Sequence, residues 1–305
     1  MLRRIILFAL TNLSVMLVFG IFLYIAGIQF QTIYKIVISS GLVGLGSVIT
    51  TLRMSKEMVL KSVQGVPINI KEPKDKQERF LVETIQRQRK RLHLPMPEIL
   101  VYKANNVNAF AAGCRKNSAV IGVSTGLLKN LEESEVEAVL AHEMSHIFNG
   151  DMVTMTLIQG IINAYVGVIA NILAQISSNC VSGTSETIAH HRSMVHNLCS
   201  KYLKYILFGV VSTLIINKFS RYREYYADAG SASIVGTEKM IAALKKLKLS
   251  YPPKEPDNIQ IFCINGKRIK FFPGLFSTHP SINNRIKALI DGKYIKKVKT
   301  CSYRR

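Results

Sequence analysis

Three long runs of apolar residues dominate the pattern along the chain: 5–28, 33–52 and 152–176. Each supplies the ~20 residues that a helix needs to cross a bilayer core, so each is predicted to span a membrane. Arg3 and Arg4 precede the first run, Lys35 lies near the start of the second, and Arg53, Lys56 and Lys61 follow it. Positive residues at both outer ends place those ends in the cytoplasm and the hairpin tip outside. A cleaved signal peptide is disfavoured, because the first run exceeds an ordinary signal core and a second run follows closely. Gly41, Gly44 and Gly46 give the second run a small-residue face suited to close helix packing. A fourth apolar run, 205–216, is shorter and flanked by Lys201, Lys204 and Lys218. It reads as a short span or an interfacial helix.

Between and after these runs the periodicity is that of a water-facing domain. Residues 71–94 place Phe80, Leu81, Ile85 and Leu92 among charges at helical spacing, and Pro95 and Pro97 end the helix. Residues 98–102 and 118–123 read as short strands, with a polar-then-small stretch at 105–113 between them. Residues 237–249 form an amphipathic helix, and Pro252, Pro253 and Pro256 break the chain after it. Residues 259–264 and 267–272 flank Asn265-Gly266, a two-residue hairpin signal, and 281–290 is a closing helix. The predicted fold class is mainly α with a small β-sheet, in four segments. These are a transmembrane hairpin at 1–55, half of a water-facing domain at 56–151, further membrane segments at 152–219, and the other half at 220–305.

Composition sharpens this picture. Of 305 residues, 48% are hydrophobic and none is Trp, and the mean hydropathy of +0.19 is high for a water-soluble enzyme. The net charge of +21 suits either nucleic acid or an anionic membrane surface. No basic stretch is interleaved with stacking aromatics, so nucleic acid is set aside as a partner and membrane lipids are kept. The five cysteines (114, 180, 199, 263 and 301) are odd in number and contain no C-x-x-C, which excludes a complete disulfide framework and a zinc finger. Cys180 and Cys199 share the polar stretch 177–200 with His190, His191 and His196; two free thiols are the expected state there, with a bridge as the alternative.

Chemistry concentrates in residues 138–150, which contain His142-Glu143-x-x-His146. On a helix, histidines four apart share a face and can grip one metal, while the adjacent Glu reaches a water on that metal. Val136, Val139, Leu140 and Ile147 recur at helical spacing, and Ser134 with Glu137 reads as a capping box at the helix start. A catalytic zinc needs a third protein ligand. Glu224 is the best candidate, and Asp228, one turn on, can hold a ligand histidine through its second nitrogen. The competing reading is a solvated charge cluster with Arg221 and Arg223.

The chain also resembles the HtpX family of bacterial membrane metallopeptidases, relatives of the CAAX prenyl endopeptidases. The resemblance covers nearly the whole chain. It rests on the two N-terminal spans, Asn108-Ala-Phe-Ala-Ala-Gly113, Val123-Ser-Thr-Gly-Leu-Leu128, Ala141-His-Glu-Met-Ser-His-Ile147 with Asn149-Gly-Asp151, Glu224-Tyr-Tyr-Ala-Asp228, and Ser277-Thr-His-Pro280 with Arg285-Ile-x-Ala-Leu289. Ala112 departs from the family, where Thr is commoner. The resemblance implies a zincin-like catalytic domain and one zinc ion per subunit, held by His142, His146 and Glu224 with Glu143 catalytic. It also implies quality control of misfolded or damaged membrane proteins at a bacterial inner membrane, where the charges flanking the first hairpin place the catalytic domain on the cytoplasmic side. For the oxyanion, His279 and Arg285 are the candidate donors. Residues 108–112, with Asn108, Ala109, Phe110 and Ala111, are a candidate exposed edge strand for an extended substrate. The alternatives are a chaperone-like or scaffold protein with an inactive metal site, against which the intact Glu143 argues, and a membrane-bound nucleic-acid binder motivated by charge alone.

Overall fold

A computed structural model describes residues 30–113, 115–179, 213–249 and 279–295, with isolated positions between 6 and 21 and at 194 and 198. The first apolar run, residues 205–212, the 259–272 hairpin, most of 177–200 with its three histidines, and all five cysteines lie outside the described residues. The chain divides into two compact units, Met1–Thr51 with Thr154–Ile216, and Leu52–Val153 with Asn217–Arg305.

In the first unit, part of helix α1 (Phe30–Val63) packs against part of α5 (Asp151–Asn179). Only one of the three predicted glycines makes the close approach. A Cβ on Gly44 would lie 2.9 Å from both the Ala164 Cβ and the Gly160 carbonyl oxygen, whereas Gly41 and Gly46 face open space. Among the described residues one helix, Asp151–Ile169, is long and apolar enough to cross a membrane. Helix α1 does not end at the second apolar run; it continues past Arg53, Lys56 and Lys61 to Val63.

Among the described residues, the second unit is built on a four-stranded mixed sheet of order β1-β2-β4-β3. Its strands are β1 (Val66–Pro67), β2 (Glu98–Tyr102), β3 (Ala109–Ala112) and β4 (Val120–Ser124). β2 and β4 run parallel in register Ile99 to Ile121, while β1 and β3 pair antiparallel on the outer sides. Gly122 is required in β4 because a Cβ there would enter the Phe110 ring. On one face Leu100, Tyr102, Phe110 and Val120 pack with Val63. On the other, Ile99, Ile121 and Val123 join a larger core with Leu81 and Ile85 of α2 (Lys76–Leu92), Leu140 and Met144 of α4 (Glu133–Asn149), and Met240 and Leu244 of α7 (Thr237–Leu249).

After the short α3 (Thr125–Asn130), α4 (Glu133–Asn149) is the central helix, packed on α2, α7 and β3. Its start corrects the expected capping box. The box is Glu132 with Glu135, whose carboxylate accepts the Glu132 N–H at 2.9 Å. Glu137 instead meets Lys239 at 2.6 Å and Arg87 at 3.2 Å, so it links α4 to α7 and α2. Long α6 (Thr213–Val235) and α8 (Ile282–Ile290), capped by Ser281, also belong to the unit. Gly230 lets α6 approach α4 closely, since a Cβ there would strike the Ser145 side chain.

Candidate metal centre

His142 and His146 stand one turn apart on α4, and Glu224 projects from α6. All three are brought together. One ligand atom from each lies within 4.8 Å of the others. The His142 and His146 Nε2 atoms are 3.1 Å apart. Glu224 Oε2 is 3.6 Å from His142 Nε2, and Oε1 is 3.5 Å from His146 Nε2. Ligands bonded tetrahedrally to zinc at ~2.0–2.1 Å sit roughly 3.3 Å from one another. The observed spacings bracket that value.

The other ring nitrogens explain why a cation fits. His142 Nδ1 lies 2.9 Å from Asp228 Oδ1, and His146 Nδ1 lies 2.7 Å from Asp151 Oδ2. With both Nδ1 atoms protonated toward carboxylates, the two Nε2 atoms present lone pairs to each other across 3.1 Å. Two facing lone pairs repel unless a positive charge sits between them. Without a metal that charge is a proton. Burial opposes charging of His142, but Asp228 and Glu224 outweigh it and raise its pKa above the ordinary value. Burial likewise opposes charging of His146, where Glu224 prevails and raises it.

Glu224 and Asp228 are not a solvated charge cluster: they are 4% and 1% exposed. Burial works against ionisation of Glu224, yet His279 and Arg285 hold its carboxyl well below the ordinary value. Burial acts the same way on Asp228, and Arg285 again lowers it. Arg285 donates to Asp228 from Nε at 2.8 Å and from Nη2 at 2.5 Å, and its Nη1 lies 3.3 Å from Glu224 Oε2. With its guanidinium on two buried carboxylates, Arg285 braces the site. His279 Nδ1 is 3.0 Å from Glu224 Oε2, at the less buried side of the cluster.

Glu143 is buried on α4 between the two histidines, and burial pushes its carboxyl pKa up. That shift moves it toward the neutral range where a carboxylate acts as general base. Asn108 is buried and donates from Nδ2 to the Tyr102 hydroxyl at 2.8 Å. Ala109, Phe110 and Ala111 are buried too, and among the described residues their strand β3 stands at the edge of the sheet. Sequence reasoning left Asp151 and Arg223 out of the site. The signal for Asp151 was its place in the Asn149-Gly-Asp151 motif, five residues after His146.

A model of Peptidase family M48 matches residues 75–292. The chain belongs to peptidase family M48. Protease HtpX of Photorhabdus laumondii is 48% identical over 297 residues, spanning 96% of this chain and 99% of that protein. Protease HtpX of Yersinia enterocolitica is 48% identical over 295 residues, with the same two coverages, 96% and 99%. Among solved structures, S. mikatae Ste24p aligns with a TM-score of 0.53 at 18% identity, covering 90% of this chain; the chain spans 58% of that structure. The Ste24p likeness shows a shared fold. As a member of M48 the chain is a zinc-dependent metallopeptidase, and its His-His-Glu cluster has the donor chemistry that zinc takes.

Proposed function

We propose that this M48 peptidase is a multi-pass membrane endopeptidase that cuts misfolded or damaged membrane proteins, with His142, His146 and Glu224 as zinc ligands and Glu143 as general base. The observation that carries the site assignment is the convergence of the two Nε2 atoms and the Glu224 carboxylate at spacings of 3.1 to 3.6 Å. Zinc bound there would polarise the scissile carbonyl and lower the pKa of a water beside it. Glu143 takes the proton from the attacking water and delivers it to the leaving amine; its raised pKa suits both transfers. His279, at the less buried side of the cluster, is the donor for the developing oxyanion. The edge strand β3 pairs through its backbone with an extended substrate, which gives affinity with little side-chain selectivity. That suits unfolded segments. The catalytic halves at 56–151 and 220–305 face the cytoplasm, and the remaining segments anchor them in the inner membrane among its lipids.

The test is Glu143→Gln in detergent, with zinc stoichiometry measured beside casein cleavage. The variant is expected to keep one zinc per chain and to lose ~10²–10⁴-fold in rate. Near-wild-type cleavage by the zinc-loaded variant removes Glu143 from the mechanism, and lost zinc makes it a ligand.

A further inference from the structure

Both ligand histidines are braced from behind by the same pair of residue types. Behind His142 stands Asp228, held by Arg285 through two hydrogen bonds. Behind His146 stands Asp151, whose Oδ2 is 2.7 Å from Nδ1 and whose Oδ1 pairs with the Arg223 guanidinium. Asp228 shares a helix with Glu224, one turn away. Asp151 belongs to another element as the first residue of α5. Gly150 brings it back: with φ 66° it ends α4 in the left-handed region, donating to the His146 and Ile147 carbonyls, and turns the chain so that the next residue faces His146.

We propose that Asp151 is the positioning residue for His146, holding it as the Nδ1–H tautomer with its Nε2 lone pair toward His142 and Glu224, and that Arg223 fixes Asp151 in that pose. This rests on the zinc-site reading above. A neutral imidazole without an acceptor behind it exchanges tautomers and turns about its ring bond, so only part of its population offers Nε2 to a metal. A buried carboxylate on Nδ1 removes that loss and raises the basicity of Nε2. Asp151 is suited to the task because it is buried and ion-paired to Arg223 on one oxygen, leaving the other for the ring. Arg223 directly precedes Glu224, so the same turn of α6 supplies a ligand and the brace for the opposite histidine. The alternative is that Asp151 serves only the start of α5, where an acidic residue complements the helix dipole.

The test compares Asp151→Ala and Asp151→Asn with wild type, as full-length protein in detergent. The readouts are zinc affinity by chelator competition, the absorption spectrum of the cobalt-loaded protein, and the melting temperature of the metal-free protein. Asp151→Ala is expected to weaken zinc by ~10–100-fold and to alter the cobalt spectrum, while the metal-free protein loses some stability with the Arg223 pair but stays folded at the assay temperature. Asp151→Asn keeps an oxygen for Nδ1 but loses the ion pair, so its affinity is expected between the two. Wild-type affinity and spectrum in both variants would overturn the proposal. So would a fall in metal-free melting large enough to account for the lost zinc. If wild type itself binds no zinc, the site reading fails and this inference falls with it.

Discussion

Arg285 offers the sharpest test of how the site is held. It is 1% exposed, donates twice to Asp228 and lies 3.3 Å from Glu224. Arg285→Met keeps most of the volume and removes the charge. Two buried carboxylates then face each other's surroundings without their cation. Breaking a buried pair by deleting one partner costs ~3–5 kcal/mol, chiefly because the other charge is stranded. Two charge-assisted hydrogen bonds at ~1.5–3 kcal/mol each give an overlapping range of ~3–6 kcal/mol. At ~2–4 °C per kcal/mol, the melting temperature should fall by ~6–20 °C. The measurement belongs on chelator-treated protein, so that lost zinc does not contribute. Asp228→Asn should cost less alone, and the double variant should be less destabilised than the two single losses added, because a neutral residue 228 does not need the cation. A fall of under ~3 °C in Arg285→Met, or strict additivity in the double variant, would refute the argument that Arg285 holds the site by charge.

Other outcomes follow from the same geometry. In metal-free protein the raised values of His142 and His146 contribute stability that is full below pH ~6.5 and lost as pH rises through their folded values. The raised Glu143 value acts in the same direction, while the lowered values of Glu224 and Asp228 are lost only as pH falls through the strongly acid range. Chelator-treated protein should therefore melt lower at about pH 8 than at about pH 6, and a higher melting point at the alkaline value would contradict the assigned charge states. Gly230→Ala should destabilise by ~1–3 kcal/mol, because its Cβ meets buried Ser145, and adding Ser145→Ala should recover part of the loss in a thermal melt. For the membrane orientation, a cysteine placed near Glu72 should resist an impermeant reagent added outside intact cells; labelling there would reverse the proposed topology.

Much of this protein is legible from local pattern. The i, i+4 spacing of His142 and His146 dictates a shared helical face, and the structure forms that helix at Glu133–Asn149. The amphipathic helix at Thr237–Leu249 and the strand at Glu98–Tyr102 stand where periodicity puts them. These features depend on residues close together in the chain, so short-range rules reach them. What the sequence left open depends on long-range partners. Ser134 and Glu137 match a capping box by spacing, yet Glu137 is drawn to Lys239 and Arg87 from distant helices, and the cap forms one step earlier at Glu132. The place of Arg285 between Asp228 and Glu224 is likewise set by the fold. Asp151 stood out only as part of a motif, because its use depends on the direction of one left-handed turn at Gly150. Residue types and spacing brought His142, Glu143 and His146 forward as candidates, and the family resemblance favoured Glu224 as the third ligand. Tertiary structure decided which carboxylate stands behind which histidine, because that pairing is set by helix packing and buried charge across residues far apart in sequence.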